Sequence, residues 1–215
     1  MRAVLVLIVS LAFIAGCGGD DGEATESVAT GADECASVDA PEARDPEPGE
    51  APAEPLDASK TYTLTFDTSC GSFTITLDQE LAPETAASLV ALASAGYFDD
   101  TIFHRVVPGF VIQGGDPTQS GGGGPGYSTV DVPPSDGKYT QGVVAMAKSG
   151  VEAPGTSGSQ FFVVTGADAG LPPEYAIVGE VTDGMDTVMR IDALGVGDGP
   201  PSQPVVVNTV TVGES

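Results

Sequence analysis

The stretch that decides the fold is Phe103-His104-Arg105-Val106-Val107-Pro108-Gly109-Phe110-Val111-Ile112-Gln113-Gly114-Gly115-Asp116. It reads as an apolar strand pair, Thr101–Arg105 and Phe110–Gly114, carrying one arginine and one glutamine. The whole chain of 215 residues has seven Lys and Arg against 31 Asp and Glu, a formal charge of −24. On composition alone, Arg105 in such surroundings is half of an ion pair with one of many carboxylates.

Working outward, Tyr62, Leu64 and Phe66 alternate with Thr63, Thr65 and Asp67. Phe73, Ile75 and Leu77 do the same after Ser69-Cys70-Gly71. The spacing predicts a hairpin of half-buried strands. Pro83 and Glu84 open a helix whose buried face is Leu89, Val90, Leu92 and Ala93 and which Gly96 ends. Further strands are expected over Val143–Ala147, Gln160–Val164, Ile177–Val181 and Pro204–Val212, with a second helix over Met185–Ala193. Many short strands and two helices predict a mainly β domain, a closed antiparallel barrel, because closure removes exposed edges.

Two more blocks accompany the first. Ser157-Gly158-Ser159-Gln160-Phe161-Phe162 follows it, with the Gly-rich Gly121–Tyr127 between, and then Leu171 and Tyr175–Glu180. Taken together, from Thr61 to Val212, these resemble the cyclophilin family almost residue for residue at the first block. The resemblance implies an eight-stranded barrel with two capping helices and peptidyl-prolyl cis-trans isomerase activity. It implies that Arg105, with Phe110 and Gln113, is catalytic. Val111, Phe162 and Leu171 would join Phe110 as walls of a proline pocket, and Gly121, Ala147, Lys148, Ser149 and Gln160 would line the peptide groove. Tyr175 stands where many members have His, Val111 where the best-known members have Met, and Lys148 where they often have Asn. Gly170 replaces a Trp, which implies weak binding of cyclosporin. The implied partners are proline-containing polypeptides, the implied state a monomer, and no metal or cofactor is required.

The ends of the chain speak to location. Met1-Arg2 followed by apolar Val4–Ala15 is too short for a comfortable membrane span and suits a signal peptide. Ile14-Ala15-Gly16-Cys17 resembles the bacterial lipobox, which implies removal of residues 1–16 and lipid on Cys17. An ordinary signal peptide that happens to contain a cysteine is the other reading. An exported protein anchored by Cys17 to the outer side of the cell membrane is the expectation; two acyl chains anchor stably where one does not. Residues 17–60 hold thirteen Asp and Glu against Arg44 and Lys60, with prolines from Pro41 to Pro55. That composition predicts a disordered, extended spacer before a domain at 61–215. With Cys17 lipidated, Cys35 and Cys70 remain, either as a disulfide, which an exported compartment permits, or as two free thiols.

Several other functions are set aside. Nucleic-acid binding needs a basic patch that seven cations cannot assemble. One histidine and three scattered cysteines do not suggest zinc. Gly121, Gly123 and Gly126 fit G-x-G-x-x-G, but Pro125-Gly126 opposes the helix such a site needs. Ser157 and Ser159 do not complete a nucleophile elbow. Two classes remain: an isomerase assisting the folding of exported proteins, and a catalytically weak module that holds proline-containing segments in the same groove.

Overall fold

The computed structural model describes residues 34–46 and 48–215. The apolar run Val4–Ala15 and Cys17 lie outside the described residues. Among those described, no helix is long and apolar enough to cross a membrane.

The elements in chain order are β1 Tyr62–Thr68, β2 Gly71–Leu77, α1 Pro83–Ser94, β3 Thr101–Ile102, β4 Arg105–Val107, β5 Val111–Gly114 and β6 Thr129–Val130. Then come β7 Val143–Met146, β8 Thr156–Ser157, β9 Phe161–Val164, β10 Ile177–Asp183, α2 Met185–Asp192 and β11 Val206–Glu214. Nine strands form one curled antiparallel sheet in the order β3-β11-β1-β2-β10-β7-β9-β5-β4. β6 and β8 pair separately.

The closed eight-stranded barrel of the sequence expectation differs from this on two points. The single strand expected over Thr101–Arg105 is broken at Phe103–His104. Phe103 donates its N–H to the Val205 carbonyl (3.1 Å), so β3 stays with β11 while β4 crosses to β5. Nine strands therefore share the sheet. Its end strands β3 and β4 are consecutive in the chain, and no ladder joins them. The result is a half-barrel curl.

Alternation decides which side of the curl each residue faces. Leu64, Phe66, Phe73, Ile75, Val106, Ile112, Val144, Met146, Phe161 and Val163 face inward and are nearly solvent-free. Phe66 and Phe73 stack at 4.9 Å, and Phe161 lies 5.2 Å from Phe66. Each such aromatic contributes about 1.5–3 kcal/mol on burial. α1 closes one end of the core with Leu89, Leu92 and Ala93, and α2 packs Val188 and Ile191 against it. Ala82 gives α1 no side-chain cap. Asp131 serves from a distance, accepting from Thr85 N–H (2.7 Å) and Thr85 Oγ1 (2.6 Å).

The segment expected as a disordered spacer is, over its described part, a strap laid along the domain. Cys35 and Cys70 form a disulfide, and Ala36 N–H donates to Ser69 O (2.7 Å). The Arg44 guanidinium reaches the carbonyls of Tyr97 (2.8 Å) and Asp99. Arg44 N–H donates to Pro117 O and Gly49 N–H to Pro125 O (2.7 Å). The described part of this segment is held by the disulfide, by backbone hydrogen bonds and by one guanidinium, with Leu56 packed against the core.

Candidate active site

Strand register places the site. Arg105 in β4 lies opposite Gln113 in β5, Gln113 opposite Phe162 in β9, and Phe162 opposite Ala145 in β7. Residues in register share a face, so this row stands on the outer face of the curl. Phe161, one position away, points into the core. Val111 and Val164, two positions along, join the outer face. There Val111, Tyr139, Ala145, Phe162 and Val164 form a second small apolar cluster, with Phe110, Ala147, Leu171 and Tyr175 packed around it.

Above that cluster is a cleft of about 260 Å³ lined by Arg105, Phe110, Val111, Gln113, Ala147, Lys148, Phe162, Leu171 and Tyr175. A larger polar pocket of about 490 Å³ adjoins it and shares Gln113, Ala147 and Lys148. The Gly121–Ser128 loop, Ser149, Glu152 and Gln160 complete that pocket. All twelve residues expected at the catalytic and substrate positions thus fall on one continuous groove.

The polar side of the groove is a relay. Arg105 Nη1 donates to Gln113 Oε1 (3.2 Å), Gln113 Nε2 to Gln160 Oε1 (3.1 Å), and Gln160 Nε2 to Gly123 O (2.9 Å). Arg105 also donates from Nε and Nη2 to the two oxygens of Asp198. That pairing holds the Asp198 carboxyl below its usual range. Lys148 sits between the two pockets with its side chain almost fully covered. Its ammonium meets Glu174 at 3.1 Å and the Tyr175 ring at 5.4 Å. No group of three or more His, Cys, Asp or Glu is placed to hold a metal ion among the described residues.

The apolar wall is fixed from behind. Asp192 accepts from Gly109 N–H (3.0 Å) and Thr165 Oγ1 (2.6 Å), and Phe110 O accepts from Thr165 N–H (3.0 Å), which sets Phe110 at the turn. Tyr139 is buried. Its hydroxyl donates to Tyr175 O (2.7 Å) and accepts from Tyr175 N–H (3.0 Å). The Phe162 and Tyr175 rings meet edge-on at 5.7 Å.

The same span of chain matches a known family. Residues 63–212 match the family described as Cyclophilin type peptidyl-prolyl cis-trans isomerase/CLD. The chain belongs to the cyclophilin family of peptidyl-prolyl cis-trans isomerases. Among its cyclophilin relatives, peptidyl-prolyl cis-trans isomerase A of Mycobacterium tuberculosis is 36% identical over 172 residues, covering 71% of this chain and 92% of that one. Peptidyl-prolyl cis-trans isomerase-like 1 of Emericella nidulans is 42% identical over 132 residues, 60% of this chain and 80% of that one. The crystal structure of a Cryptosporidium parvum cyclophilin type peptidyl-prolyl cis-trans isomerase superposes with a TM-score of 0.65 at 30% identity, covering 71% of this chain and 98% of that one. The same protein in the presence of the dipeptide Ala-Pro gives 0.64 at 30% identity.

Against this cyclophilin frame, sequence reasoning missed the supporting residues. Tyr139, Asp192, Asp198 and Glu174 carry no local signal, since each acts across more than thirty positions or between loops. His104 lies beneath the Gly-rich loop with both ring nitrogens buried and without a hydrogen-bond partner. Burial, and secondarily Arg105, push its pKa below the usual value while Asp116 opposes them. Gly170 lies in an exposed loop with open space around it, leaving that rim of the cleft without a wall.

Proposed function

We propose that the groove isomerises X-Pro bonds in exported polypeptides, with Arg105 as the electrostatic donor. The observation that carries this is a guanidinium at the edge of an apolar cleft, with three of its five N–H groups engaged and two left for the cleft.

Rotation about a peptide bond meets a barrier of about 18–20 kcal/mol because resonance gives the C–N bond double-bond character. X-Pro bonds alone populate cis appreciably. In the twisted state the proline nitrogen turns pyramidal and regains a lone pair. A hydrogen bond from Arg105 to that nitrogen is stronger there than in the planar ground state, which is the condition for catalysis. Phe110, Val111, Phe162 and Leu171 hold the ring where water is thin and the donor acts at lower dielectric. Gln113 anchors a substrate carbonyl while the rest of the chain turns. No bond is made or broken and no proton moves. The Ala-Pro dipeptide present with the Cryptosporidium parvum relative supports a proline-containing ligand for the same fold.

The expected result with a short X-Pro peptide, followed by NMR exchange spectroscopy, is fast cis-trans exchange with the wild-type protein. Arg105→Ala lowers it about 10²–10³-fold, as for loss of one preorganised donor, with the fold retained. Unchanged exchange in a folded variant overturns the assignment.

Location belongs to the same proposal. Residues 1–16 are removed and Cys17 carries lipid. With Cys35 bonded to Cys70 on the domain, eighteen peptide steps separate Cys17 from that anchor, so covalent geometry keeps the lipid within about 65 Å of it. Cys17→Ser should move the protein from the membrane to the soluble fraction; a variant that stays firmly anchored refutes the lipid site.

A further inference from the structure

Asp198 lies in the loop between α2 and β11, far in sequence from every motif that builds the groove. Its two carboxylate oxygens take Arg105 Nε (2.5 Å) and Nη2 (3.1 Å), a side-on, two-point grip on one edge of the guanidinium. The loop itself is not adrift. Gly199 O, one residue away, accepts from Val106 N–H (2.8 Å), one residue from Arg105. Ser202 N–H closes the loop onto Leu194 O (2.8 Å). β4 is the end strand of the sheet, and this loop occupies its open edge.

A guanidinium is planar, so gripping one edge and offering Gln113 another sets the plane of the whole group. The two remaining N–H groups then point in a defined direction. Without Asp198 the long side chain keeps a single partner, Gln113 Oε1 at 3.2 Å, and rotates about it. The surface of a chain with net charge −24 offers other carboxylates to a loose cation. We propose that Asp198 is a positioning residue for the isomerase, holding Arg105 in the orientation that meets the twisting amide. This rests on the reading of Arg105 given above. Because Asp198 neither lines the apolar cleft nor touches the ring, it acts on turnover and not on peptide binding.

The test is NMR exchange across a range of X-Pro peptide concentrations, which separates kcat from KM, for wild type, Asp198→Ala, Asp198→Glu and Arg105→Ala. Asp198 is exposed, so the substitutions leave the fold intact. Asp198→Ala is expected to lower kcat by about 1.4- to fivefold at low salt, the span of effects measured for exposed ion pairs, with KM unchanged. Asp198→Glu restores most of the rate, since a carboxylate returns. Salt supplies a readout that a merely structural role would not move. At about 1 M salt the screening length falls to about 3 Å, so the wild-type rate declines toward that of Asp198→Ala, which itself barely responds. Wild-type kcat in Asp198→Ala overturns the inference, as does a lowered kcat that Glu does not rescue or that salt does not erase. Either outcome leaves the reading of Arg105 standing if Arg105→Ala is inactive. An active Arg105→Ala removes that reading and this inference with it.

Discussion

Removing the Cys35–Cys70 bridge is expected to destabilise the domain by about 4 kcal/mol. The bridge spans 35 positions, and chain-entropy scaling assigns such a loop about 13 cal/mol/K, or about 4 kcal/mol at 25 °C. The other contacts near this end of the strap are slight. Ala36 N–H reaches Ser69 O, and the next described anchor is Pro41 O, which accepts from Gln119 Nε2 (2.9 Å). For a domain of this size each kcal/mol moves the melting temperature by about 2–4 °C, so the shift should be about 8–16 °C. The assay is urea unfolding of wild type and of the Cys35→Ser/Cys70→Ser double variant, followed by far-UV circular dichroism. The midpoint should fall and the slope should rise, because the chain without the cross-link exposes more surface when it unfolds. Hydrogen exchange gives a second readout. Gly49 N–H, bonded to Pro125 O, should lose protection as the strap loosens, while Val163 in the core strand keeps its own relative to the new global stability. An unfolding free energy within about 0.5 kcal/mol of wild type would refute the reasoning: the bridge would then close no loop that the unfolded chain leaves open.

Three further outcomes follow from contacts behind the groove. Tyr139→Phe removes the hydroxyl that serves Tyr175 N–H and C=O; about 1–3 kcal/mol should be lost, with weaker peptide binding measured by NMR titration and little change in kcat. Gly126 has φ +83° and would set a Cβ 2.6 Å from Pro48, so Gly126→Ala should lower the unfolding free energy from urea titration by more than about 1 kcal/mol and expose Gly49 N–H to exchange. Stability should also fall in acid in two steps, measured as urea midpoints from pH 7 to pH 3. Burial holds His104 below its ordinary 6.5, so its contribution is full above that value and is lost as pH drops through the lower folded one. Burial pushes the Asp116 carboxyl up, but hydrogen bonds from Thr118, Gly123 and Gly121 outweigh it and hold it below 3.8. Its contribution is therefore present above 3.8 and lost as pH falls through the folded value. His104→Asn should abolish the upper step alone.

The parts of the fold that were legible are those with a local period. β1, β2 and α1 follow from alternation and from the Pro83–Gly96 frame. The groove residues were legible through a family frame, because Arg105, Gln113, Phe162 and Ala145 lie on four strands and no periodicity reports a row across a sheet. What was not legible depends on long-range backbone bonds. The break at Phe103–His104 exists because Val205 O captures Phe103 N–H. The strap has a disordered composition but docks through Arg44, whose acceptors are carbonyls more than fifty residues away. Asp131 caps α1 from forty-six positions on, where a local search finds only Ala82.

The ion pair that composition assigns to Arg105 and the donor role proposed for it are not rivals. A cation serving only as a counter-ion has no need of an apolar cleft beside it. Arg105 has Phe110, Val111 and Phe162 on one side and a carboxylate, itself mostly exposed, on another. Asp198 takes the edge formed by Nε and Nη2, and Gln113 takes one N–H of Nη1, so two N–H groups of a guanidinium that lines the cleft stay free. In a chain with 31 carboxylates, a guanidinium with no fixed partner would sample many. A near partner on an anchored loop selects one orientation and still leaves a donor. In the mechanism proposed above, the acidity of the chain makes the pairing part of how the arginine would work, since it decides which way the remaining N–H groups face when a prolyl bond begins to twist.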